Sequence, residues 1–103
     1  MKTILIIEDE LSLQNIIAAY FRKNEFNVLT ASNGLEGLEL FRTKKIDIIC
    51  SDIMMPNIDG WQVVRSVRQS SNIPIILMTA LDSELDQLKG FNLLVDDYVT
   101  KPF

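Results

Sequence analysis

A chain of 103 residues, 48% of them hydrophobic, is the size of one domain with a real core and is too apolar to be a disordered segment. A net charge of −4 argues against the clustered Lys and Arg of a nucleic-acid surface, so no direct nucleic-acid contact is expected. With no histidine and a single cysteine, Cys50, zinc, haem and an internal disulfide are excluded as organising features.

The opening stretch, "MKTILIIEDE", has four successive apolar residues before its acids. That is too short for a signal-peptide core or a membrane span, and with a buried free thiol it points to a reducing, cytoplasmic home. "TILII" (3–7) reads as a strand and "LSLQNIIAAYFRKN" (11–24) as an amphipathic helix. "FNVLTA" (26–31) is a second strand, and "GLEGLELFRTK" (34–44) a second helix with Leu35, Leu38 and Phe41 on its inward spacing. "IDIICS" (46–51) is the third strand and "GWQVVRSVRQ" (60–69) the third helix, with Trp61 read as packing or a partner contact. "PIILMTA" (74–80) is the fourth strand, "SELDQLKGFNLL" (83–94) the fourth helix and "DYVT" (97–100) a short fifth strand.

Strand and helix alternate throughout, which predicts an α/β, doubly wound parallel sheet with helices on both faces. Strands one, three and four are continuous apolar runs, as strands covered on both sides should be. Sites in such sheets collect beyond the carboxyl ends of the strands. Glu8, Asp9 and Glu10 follow strand one, Asp52 ends strand three, Thr79 ends strand four, and Lys101 follows strand five. Three carboxylates brought together repel one another unless a hard cation sits among them, and Mg²⁺ suits oxygen ligands of this kind. A carboxylate beside a metal, a lysine and a hydroxyl is equipped to accept a phosphoryl group as an acyl phosphate.

These segments together resemble the receiver domains of bacterial two-component response regulators, over the whole chain and in order. "ILIIEDE" is similar to the acidic pair of that family, "SDIMMPNIDGWQVV" to its phosphoacceptor segment, "PIILMTA" to its switch-threonine strand and "DDYVTKPF" to its lysine segment. The resemblance implies a five-stranded sheet of flavodoxin-like order 2-1-3-4-5. It implies that Asp52 is the phosphorylated aspartate, and that Glu8, Asp9, Asp52 and the backbone carbonyl of Met54 hold Mg²⁺. Thr79 would be the switch hydroxyl, Tyr98 the switch aromatic and Lys101 the amine that neutralises the phosphoryl group. A sensor histidine kinase would be the donor, since a chain without histidine cannot supply its own phosphohistidine. Phosphorylation would reshape the face of the fourth helix and fifth strand. No enzyme is expected beyond self-phosphorylation and self-dephosphorylation.

The endings "DIMMPNIDG" and "DDYVTKPF" look most like the OmpR/PhoB subfamily, whose receivers precede a DNA-binding output domain. Here Leu94-Val95 replaces the Gly-Ala common in that subfamily, and Gln87 stands where a basic residue is frequent. The chain stops at Phe103, where a receiver begins its fifth helix, so residues 1–103 are expected to be a receiver domain truncated or split before that helix. Apolar surface on strands one and three should then lie open, and a homodimer through the fourth helix and fifth strand should be weakened. Two readings compete with the receiver: a Mg²⁺-dependent phosphatase or phosphotransferase with an Asp nucleophile, and a phosphorylation-independent interaction module.

Overall fold

The strand runs of the sequence become one parallel sheet in the computed structural model, which describes residues 1–53 and 58–78 together with the backbone of 79 and 97–100. The elements are β1 (Thr3–Ile7), α1 (Leu11–Lys23), β2 (Asn27–Ala31), α2 (Gly34–Thr43), β3 (Ile48–Asp52), α3 (Gly60–Arg68), β4 (Ile75–Thr79) and β5 (Asp97–Thr100). The strand order is β2-β1-β3-β4-β5, as expected. The central strand β1 pairs Ile4 with Val28 on one side and with Ile48 on the other. The expected fourth helix, with Gln87 and Leu94-Val95, lies outside the described residues.

Strands covered on both faces must be apolar at every position, and alternate residues then build two separate cores. Leu5, Ile7, Ile49, Ile75 and Leu77 pack with Val63, Val64, Val67, Trp61 and Leu38 in one of them. Ile4, Ile6, Cys50 and Met78 pack with Ile17 and Ala18 of α1 in the other. Ile4 to Ile7 are fully buried. Each such isoleucine or leucine contributes about 1.5–3 kcal/mol over leaving it exposed.

Local chemistry places the helix ends. The Asn33 side chain accepts from the Glu36 N–H at 2.8 Å to start α2. Asp59 and Gln62 form a reciprocal capping box at the start of α3. At the end of α1, Glu25 N–H donates to Arg22 O and Phe26 N–H to Phe21 O, the paired bonds of a Schellman motif. The motif needs a left-handed residue, and Glu25 takes it at φ 69° where glycine is the usual choice. Phe26 and Phe21 close it with an edge-on ring contact at 5.3 Å.

Three expectations change in detail. The third strand begins two residues late, at Ile48; Asp47 still bonds to Thr3, its carboxylate accepting from the Thr3 N–H at 2.8 Å and its own N–H donating to Thr3 O at 2.9 Å, and Ile46 is still buried. Leu35 is exposed, because α2 turns Gly34, Gly37, Leu38 and Phe41 inward. Gly37 rests directly on β1, and a Cβ there would meet Ile7 Cγ1 at 2.8 Å. Ile4 to Ile7 of strand one are fully covered, and among the described residues an open apolar surface lies over β3 and β4 instead. It forms a groove of about 450 Å³ between Ile16, Ile17, Tyr20 and Phe21 of α1 and Cys50, Ile76 and Met78 of the sheet. Trp61 is core packing.

Candidate functional site

The sheet register builds the site. β1 and β3 pair Ile6 with Cys50 and Ile7 with Ser51, so the next step along brings Glu8 beside Asp52. Both residues continue the alternation of Ile4, Ile6 and Cys50, which faces α1. Glu8 and Asp52 are buried and Asp9 is exposed. One carboxylate oxygen from each of the three lies within 4.8 Å of the others.

Backbone contacts hold these residues in place. Glu8 N–H donates to Ala31 O at 3.0 Å, and Glu8 Oε2 accepts from Glu10 N–H at 3.0 Å. The buried Gln14 amide Nε2 donates both to Glu8 O at 3.1 Å and to Ala31 O at 3.0 Å. On the other side, Ser51 Oγ donates to Asp52 O at 3.0 Å, and Ile53 N–H to Met78 O at 3.2 Å. Gly60 N–H donates to Ile53 O at 2.8 Å and brings the start of α3 against the strand end. A Cβ at Gly60 would lie 2.6 Å from Asp52 O and 2.8 Å from Ile53 Cα, so only glycine lets the helix approach that closely.

Like charges this close favour either a bound cation or a proton. The donor set is all hard oxygen, with two buried carboxylates to hold an ion and one exposed carboxylate on the side open to water. That fits a divalent cation that keeps part of its hydration, as Mg²⁺ does, and offers nothing to an ion that wants thiolate or imidazole. Of the other residues singled out in the sequence, Thr79 closes β4 with its backbone paired to Thr100, and the Tyr98 backbone pairs with Leu77. Met54 and Lys101 lie outside the described residues. Gln14 and Gly60 were missed. The signal for Gln14 was a polar residue three before Ile17 and four before Ala18, on the inward stripe of α1.

The chain matches the family described as "Response regulator receiver domain" over residues 4–103. It is 44% identical over 100 residues to the uncharacterized transcriptional regulatory protein YclJ of Bacillus subtilis, covering 97% of this chain and 44% of that protein. It therefore spans less than half the length of this curated relative. Among solved structures, the receiver domain of the Francisella response regulator 1452 superposes with a TM-score of 0.90 at 35% identity, covering 100% of this chain and 86% of that one. The Thermotoga maritima response regulator TrrA, in complex with Mg²⁺ and BeF, superposes with a TM-score of 0.90 at 32% identity, covering 100% of this chain and 89% of that one.

Proposed function

Since the chain belongs to the response regulator receiver domain family, we propose that it is a signalling phosphoacceptor whose Asp52 takes a phosphoryl group from the phosphohistidine of a sensor histidine kinase. The observation that carries this reading is the meeting of Glu8, Asp9 and Asp52 at the carboxyl ends of adjacent strands. An Asp52 carboxylate oxygen attacks phosphorus, the new O–P bond forms as the P–N bond breaks, and the electron pair leaves with the donor imidazole. Glu8, Asp9, Asp52 and the Met54 carbonyl would hold Mg²⁺, which supplies charge stabilisation to the phosphoryl oxygens. The Mg²⁺ complex of the similar TrrA supports that assignment.

The remaining roles follow the motif positions. Lys101 would neutralise the phosphoryl group, and Thr79 would donate a hydrogen bond to it. Tyr98 would follow Thr79 and carry the change to the face of the fourth helix and fifth strand, which would be the surface of a weakened homodimer. The similarity to a transcriptional regulatory protein supports a DNA-binding output as the target of the switch. The domain would work in the cytoplasm, and as a switch it needs no separate substrate to turn over.

The test is intact mass after incubation with Mg²⁺ and acetyl phosphate, alongside Asp52→Asn. A gain of one phosphoryl group in the wild type and none in the variant is expected. Labelling of both would move the acceptor away from Asp52, and labelling of neither would refute the reading.

A further inference from the structure

We propose that Gln14 is a positioning residue for the acidic site, its side-chain amide fixing the backbone of Glu8 so that the Glu8 carboxylate stays beside Asp52. This rests on reading Glu8, Asp9 and Asp52 as a divalent-cation site. Gln14 lies in the first turns of α1, whose side chains point back toward the helix start. Its one amide nitrogen reaches the carbonyls of Glu8 and Ala31 at 3.1 and 3.0 Å, and both of its hydrogens are thereby used. Ala31 O also accepts from Glu8 N–H, so Glu8 is held at its N–H by β2 and at its C=O by α1. The side chain is 5% exposed, and its contacts tie three elements together at the point where the first carboxylate leaves the sheet.

Three carboxylates, two of them buried and one exposed, push apart when no cation is bound. The backbone of Glu8 is the place where that push can be relieved, since β1 ends at Ile7. Asp52, by contrast, is still inside β3 and is paired with Met78. Gln14 therefore supplies at Glu8 the restraint that the strand ladder supplies at Asp52. The helix cap acts on the carboxylate instead: the Glu10 N–H donates to Glu8 Oε2, while the Glu10 side chain makes no capping bond to α1. An outer partner of this kind, acting on a ligand and not on the ion, typically sets metal affinity by about tenfold or more.

The experiment is Mn²⁺ binding to the full chain, read from the free-ion electron paramagnetic resonance signal at neutral pH, with thermal unfolding measured on the same samples. Gln14→Met keeps the length of the side chain and removes the donor; its Mn²⁺ affinity should fall about tenfold. Gln14→Asn keeps the amide but is too short to reach both carbonyls, and it should also lose affinity if the methionine variant does not fold. Ile17→Ala, on the same helix, should lower the melting temperature through lost packing and leave Mn²⁺ affinity unchanged. Wild-type affinity in a folded Gln14 variant would overturn the proposal, as would an equal loss in Ile17→Ala. A wild type that binds no Mn²⁺ would overturn the cation-site reading itself and this inference with it.

Discussion

The two faces of the sheet use the same strands and are closed to different degrees. On the side of α2 and α3, Leu5, Ile7, Ile49, Val63, Val64, Val67, Ile75 and Leu77 are all fully buried. On the side of α1, Ile48 and Ile76 are only partly buried, and Ile16 and Tyr20 of the helix are exposed. Glu8 and Asp52 belong by register to this second, more open side. The closed side backs them: Gly60 approaches the Asp52 backbone from α3, and Ser51 donates to the Asp52 carbonyl. One face therefore acts as the anvil that fixes the strand ends, and the other presents the carboxylates.

Paired truncations on β4 test that contrast most strongly. Leu77→Ala empties a site in the closed core and should cost about 3 kcal/mol, whereas its neighbour Ile76→Ala, at the open groove, should cost less than half as much. Urea midpoints would measure both, and equal losses would show that the two faces are equally closed. A smaller effect is expected at the strand ends. Without divalent cation, Asp52→Asn removes one of the clustered charges and should raise stability on the order of 1 kcal/mol. Adding Mg²⁺ should raise the melting temperature of the wild type and do so much less for the variant. The smallest effect concerns α1, which closes the open face. Glu25→Gly relieves a left-handed residue, a gain of about 1–2 kcal/mol, but returns part of it through the greater freedom of unfolded glycine. A net gain of about 0.5 kcal/mol in chemical denaturation is expected.

Much of this was legible in the residues because apolar strands and amphipathic helices repeat with different periods. The runs "TILII" and "IILMT" could be placed to within a residue, since strands buried on both faces leave little choice. The meeting of Glu8, Asp9 and Asp52 also followed, because a parallel sheet puts all its strand carboxyl ends on one edge. What could not be read was set by contacts distant in sequence. The start of β3 at Ile48 is one such case: Asp47 meets Thr3, 44 positions away, through its carboxylate as well as its N–H. Leu35 looked inward on spacing, but Gly37 lets α2 lie against Ile7 of β1 and Gly34 lets its start lie against Ile58 and Val63, closer than a larger side chain would allow. The role of Gln14 depends on Glu8 and Ala31 ending beside each other, which no local spacing shows.

Cys50 sits on the floor of the apolar groove and is nearly inaccessible there. As the chain's single thiol, it gives the molecule an internal stopwatch. A thiol reagent reaches it through the groove beside α1, so the labelling rate reads access to that one face while the opposite core stays silent. Anything that comes to rest over Ile16 and Tyr20 would slow that clock, and its progress could be followed by mass alone, without a dye and without altering a single residue.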